Sequence, residues 1–136
     1  MIKCIVDPDG TQHFYLNGEY HRTDGPALIY PDGEQQWYIN GKWHREDGPA
    51  IINADGEKRW YINGKLHRED GPAMIVYDGT QYWYLNGKRH REDGPAVISL
   101  HGKEWWLDGV RQKPYDDIKV KKITINELQF NIKDGF

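Results

Sequence analysis

Asn-Gly recurs at Asn17, Asn40, Asn63 and Asn86, with Asp108-Gly109 in a fifth place, at spacings of 23, 23, 23 and 22 residues. A second marker, His-Arg-x-Asp-Gly-Pro-Ala, begins at His21, His44, His67 and His90 and keeps the same period. Asp-Gly pairs at Asp9, Asp32, Asp55 and Asp78, with His101-Gly102 in the fifth slot, make a third. Three phase-locked markers constrain the chain more than its composition does. A fixed period in this range means supersecondary units that bury their apolar faces on their neighbours.

Each marker has a backbone reason. Asn-Gly tolerates the two positive φ angles of a type I′ hairpin turn. Asp7-Pro8-Asp9-Gly10 and Tyr30-Pro31-Asp32-Gly33 have Pro second and Gly fourth, as in a type I turn closed by a glycine bulge. The runs between these turns, such as Gln36-Trp37-Tyr38-Ile39 and Tyr82-Trp83-Tyr84-Leu85, read as short strands. Asp-Gly-Pro-Ala interrupts the ladder, because proline donates no hydrogen bond. No helical pattern occurs between Asp7 and Gly109. The expected fold is all-β: tandem hairpins in an elongated twisted meander, with units advancing about 10 Å each.

A two-residue turn fixes the register. Around Asn40-Gly41 it sets Tyr38 opposite Trp43 and Trp37 opposite His44. The same rule pairs Phe14 with His21, Trp60 with His67, and Trp83 with His90. On the other face it pairs Tyr15 with Tyr20, Tyr61 with Leu66, and Tyr84 with Arg89. The Trp–His face is uniform between units, as repeated packing requires. The Tyr face carries one variable partner, as recognition requires.

The array is expected over residues 1–109, as four full units and a degenerate fifth, with a C-terminal cap over 110–136. Ile118, Val120, Ile123, Ile125, Leu128, Phe130 and Ile132 supply that cap with aliphatic bulk. Lys119–Ile125 reads as a strand, while Thr124–Leu128 reads equally as the start of a short helix.

Composition narrows the function classes. Net charge is -3, so no basic balance draws the chain to nucleic acid or to an anionic membrane. No apolar run approaches the ~20 residues of a membrane helix. A single cysteine, Cys4, excludes an internal disulfide framework and suits a reducing cytoplasm. Six Trp, nine Tyr and three Phe make a core of rings the expectation.

With the unit laid out, Trp-Tyr-x-Asn-Gly-Lys-x-His followed by a second Asp-Gly resembles the membrane occupation and recognition nexus (MORN) repeat. The matching residues are Trp37, Asn40, Gly41, Lys42 and His44, with their equivalents from Trp60 to His67 and from Trp83 to His90. The likeness spans about residues 9–109, and the unit departs from it by inserting Arg-Glu-Asp before Gly-Pro-Ala. This variety is similar to tracts in small proteins of bacteriophages and bacteria. The resemblance implies a sheet-like binding scaffold with no shared catalytic residue. For a phage protein of this size it implies an accessory role in the host cytoplasm, disarming a host factor such as a defence enzyme.

The candidate partner-binding residues are Tyr20, Trp43, Leu66 and Arg89, flanked by Tyr38, Tyr61 and Tyr84, since Trp, Tyr and Arg dominate interface energetics. The rival reading is a small anionic ligand, such as a signalling nucleotide, held by Arg45, Arg68 and Arg91. Neither metal nor catalytic chemistry is expected. Histidines in columns about 10 Å apart cannot converge on one ion, and their expected role is to pack on the cross-strand ring. Arg and Asp are expected to pair beside the Gly-Pro corner. Cys4 is expected near His13, with no third group to complete a nucleophile. Self-association through the open N-terminal edge or the aromatic face is a further expectation.

Overall fold

A computed structural model describes residues 1–113. The cap expected over 110–136 lies outside the described residues from Pro114 onward, and with it the choice between strand and helix. The described residues form strands and turns without a helix. Hence no helix among them is long and apolar enough to cross a membrane.

The chain is an open antiparallel meander. Its main ladder runs in order through Lys3–Val6, Gln12–Leu16, Leu28–Ile29, Gln35–Gln36, Ile51–Ile52, Lys58–Arg59, Met74–Ile75, Gln81–Tyr82, Val97–Ser99 and Gly102–Glu104. Beside it stand the Asn-Gly hairpins, in the registers Tyr15↔Tyr20, Tyr38↔Trp43, Tyr61↔Leu66 and Tyr84↔Arg89 that a two-residue turn dictates. Asn40 and Gly41 have φ of 50° and 79°, the left-handed pair that a type I′ turn needs. A fifth hairpin, a two-stranded sheet of its own, closes Trp106–Leu107 on Val110–Arg111 around Asp108-Gly109, so strand pairing extends past residue 109. Successive hairpins also bond to one another: the amide of Arg45 donates to the carbonyl of Tyr61 (3.1 Å), and that of Gly64 to Trp43 (2.8 Å).

The His-Arg-x-Asp-Gly-Pro-Ala segment is an excursion from one strand that returns to the residue it left. The carbonyl of Trp37 accepts from the amide of His44 (3.1 Å), and the amide of Trp37 donates to the carbonyl of Ala50 (2.7 Å). Residues 44 to 50 therefore open and close opposite a single ring-bearing residue. Phe14, Trp60 and Trp83 anchor the equivalent loops. Side chains alternate between faces along a strand. Since Met74 pairs with both Arg59 and Tyr82, Ala73 lies on the loop-bearing face between Trp60 and Trp83. Ala27, Ala50, Ala73 and Ala96 all have 0% exposure. Any larger side chain there would meet rings on both sides.

Inside each loop, arginine covers the ring. The guanidinium carbons of Arg22, Arg45, Arg68 and Arg91 sit 3.9 to 4.0 Å from the ring centroids of Phe14, Trp37, Trp60 and Trp83. A Cβ on Gly71 would lie 2.9 Å from the Arg68 guanidinium carbon, so glycine there makes room for the stacked group. Arginine and aspartate do pair in the loop, with Arg68 Nε 3.1 Å from Asp70 Oδ1. Arginine, not anticipated there, covers the ring, and histidine ties units together: Nδ1 of His44 accepts the amide of Asn63 at 3.0 Å, joining one unit to the turn of the next. His21, His67 and His90 repeat this bond with Asn40, Asn86 and Asp108.

Candidate functional site: the open aromatic face

The face opposite the loops is built by alternation from the hairpin residues. Tyr15, Tyr20, Tyr38, Trp43 and Tyr61 form a continuous row with centroid separations of 4.8, 4.9, 5.9 and 4.9 Å. Within one unit, Tyr38 meets Trp43 across the hairpin. Between units, Trp43 meets Tyr61. The variable column is thus interleaved with the constant tyrosines, and both belong to one stack.

Leu66 takes the next place in the column, packed against the buried cluster of Ala50, Ile51 and Tyr61. Arg89 follows, with its guanidinium carbon 5.2 Å from the Tyr82 ring, 6.0 Å from Tyr84 and 5.0 Å from Trp106. Its Nε donates to the Tyr84 hydroxyl at 3.1 Å. A planar cation so enclosed replaces a ring in the stack and gains cation–π attraction. All seven candidates, Tyr20, Tyr38, Trp43, Tyr61, Leu66, Tyr84 and Arg89, fall on this face. Tyr61 is buried and the other six are half-buried.

Two polar groups in the row share one partner. Gln36 Oε1 accepts both the Tyr38 hydroxyl (2.8 Å) and the Trp43 Nε1–H (3.0 Å), and so fixes both rings. Burial raises the Tyr20 and Tyr38 hydroxyls above the ordinary phenol range, so both stay protonated well into alkaline solution. Ring faces along the row are turned largely to neighbouring rings, stacked from Tyr15 to Tyr38 and tilted from Tyr38 to Tyr61. Rings so engaged leave few faces free for stacking nucleobases.

Gln36, Tyr82 and Trp106 were missed by the sequence reading. The signal was present: each lies two residues from Tyr38, Tyr84 or Glu104, and period-two alternation puts it on the same face.

On the loop side, Arg45, Arg68 and Arg91 are already engaged. Each stacks on its tryptophan, gives Nε to Asp47, Asp70 or Asp93, and gives Nη1 to the carbonyl of Pro49, Pro72 or Pro95 at 3.1 Å. Open grooves of about 620 to 840 Å³ separate successive loops. Their rims carry Glu46, Glu69 and Glu92, side chains 82 to 83% exposed. A phosphate entering there would meet carboxylates before it met a guanidinium.

The expected neighbourhood of Cys4 and His13 is corrected. Cys4 pairs with Phe14, and His13 pairs with Ile5, so the two side chains project from opposite faces. The His13 ring is held instead by Asp7 at 2.8 Å and the Tyr20 hydroxyl at 3.0 Å. Among the described residues, no three His, Cys, Asp or Glu side chains are grouped to hold a metal ion. Compared with known proteins, the chain matches no family model and no curated protein.

Proposed function

We propose that this chain is a non-catalytic, MORN-like repeat scaffold that binds a protein partner through its open aromatic face. The observation that carries this reading is the division of labour between the two sides of one sheet. Loops fill the Trp side, with arginines stacked and paired. The opposite side keeps a half-buried row of rings ending in Leu66 and Arg89 that no described segment covers. Rings and Arg fixed in advance cost little side-chain entropy on binding, which favours them as anchors.

The partner we favour is a host enzyme, and the role that of a phage-type accessory inhibitor acting in the host cytoplasm. The motif likeness supports this, and it rests on analogy. Trp43 is central to the row, touching Tyr38, Tyr61 and Gln36. Immobilised protein should capture a stoichiometric partner from bacterial lysate, and addition of the chain should inhibit the activity of that partner. Trp43→Ala should weaken capture by at least about tenfold, the effect of losing one aromatic anchor. Lys58→Ala, an exposed residue on the loop side, should leave it unchanged. Equal capture by both variants, or no partner from relevant hosts, would refute the reading.

A further inference from the structure

We infer that the free edge of strand Lys3–Val6 pairs with the same strand of a second copy of this chain, antiparallel, about a two-fold axis at Ile5. This strand ends the sheet, and all four of its residues are exposed. No described segment pairs with its outer edge. Ile2, Ile5 and Val6 are 41%, 39% and 61% exposed there. An uncovered edge with apolar side chains is a template for another strand.

The inner ladder fixes which backbone groups face out. The amide and carbonyl of Phe14 are both committed to the far side, to Ala27 (2.8 Å) and His21 (3.0 Å). Its partner Cys4 therefore sits at a non-hydrogen-bonded position and turns its own amide and carbonyl to the open edge. Val6, two residues on, does the same, whereas the Asp7 amide points inward to Thr11 (2.9 Å).

Those outward groups select a register. With the axis at Ile5, Cys4 lies opposite Val6 of the second copy. The two exchange amide and carbonyl bonds, and symmetry repeats the exchange. Ile5 meets its own copy. Lys3 falls opposite Asp7 of the second copy, and this also occurs twice. Asp7 is able to accept it, since the carboxylate bonds His13 through one oxygen and stays 44% exposed. A shift of two residues one way sets Lys3 against Ile5. A shift the other way sets Cys4 against Pro8, which has no amide to donate. The favoured register moves Pro8 opposite Ile2, outside the strand, so the outward groups of Cys4 and Val6 are all paired and the charges match as well. It would join two open faces end to end, because Lys3 and Ile5 lie beside Tyr15 and His13.

Sedimentation of the full chain, at rising concentration, should show conversion to twice the 16.0 kDa monomer mass. Lys3→Glu places like charges opposite each other twice and should loosen the dimer about tenfold, with the circular dichroism of the monomer preserved. Ile5→Cys in a Cys4→Ser background should give a disulfide-linked dimer on oxidation, since a non-hydrogen-bonded pair brings Cα atoms to about 4.5 Å. Val6→Cys in that background should not cross-link. A chain monomeric at every concentration would overturn the proposal. So would a dimer indifferent to Lys3→Glu that Ile5→Cys fails to cross-link.

Discussion

Trp60→Ala is expected to destabilise the chain by about 3 kcal/mol, lowering the midpoint of thermal unfolding by roughly 10 °C. The ring does more than fill space. It carries the Arg68 guanidinium at 4.0 Å, and its backbone opens and closes the loop from His67 to Ala73. Without the ring, the guanidinium loses its platform, and the pairings of Arg68 with Asp70 and the Pro72 carbonyl lose the surface that orients them. A double-mutant cycle with Arg68→Ala should reveal a coupling of about 1 kcal/mol between ring and cation. Strictly additive effects would mean that the stack contributes nothing beyond its separate parts.

Ala73→Leu is expected to cost about 2–3 kcal/mol in chemical denaturation, although it adds apolar surface. Ala73 has 0% exposure and lies between Trp60 and Trp83, with its amide bonded to the Tyr82 carbonyl at 2.7 Å. The backbone is pinned on both sides, so added methyl groups must push a ring. Each tryptophan holds a loop arginine, so strain from one site reaches two units. Unchanged stability would show that the rings have room to move and that the small residue is incidental.

The turns were the most legible part of the fold. Asn40-Gly41 has few conformations open to it, and once the type I′ turn is assumed, opposing Tyr38 to Trp43 is arithmetic. The seven-residue loop was less legible for a physical reason. Hairpin register correctly predicts that His44 opposes Trp37 along the backbone, but it says nothing of the residue that folds back over the ring. Arg45 does so because the loop turns at Gly48-Pro49 and returns to Trp37, a closure not encoded by strand periodicity. Gly48 was the available clue: its φ is not in the left-handed region, so its role is space, with a Cβ only 3.0 Å from the Arg45 guanidinium carbon.

On the candidate face, membership was legible and interleaving was not. Pairing within a hairpin placed Tyr20, Trp43, Leu66 and Arg89 on one side. That Tyr20 also stacks on Tyr38 of the next unit depends on how hairpins abut. That contact is set by the bond from Gly41 to Tyr20 at 2.9 Å, between residues of different units. The residues that vary between units therefore serve the stack as well as any partner. This is why Trp43→Ala must be judged by capture beside a fold measurement.

Every rung is held by contacts to its immediate neighbours: ring to alanine, histidine to the following turn, hairpin to hairpin. Deleting residues 46–68 removes one period of 23 residues and joins Arg45 to Glu69 within an intact motif. The shortened chain should fold and unfold in one cooperative transition, with a lower midpoint because one interface is lost. Deleting residues 46–67 instead leaves Arg45 followed by Arg68 in a loop one residue longer, and should lower the midpoint further, because two arginines then compete for the single ring of Trp37 on which that loop closes. If the 23-residue deletion fails to fold, or both shortened chains are equally stable, the units are not the independent rungs described here.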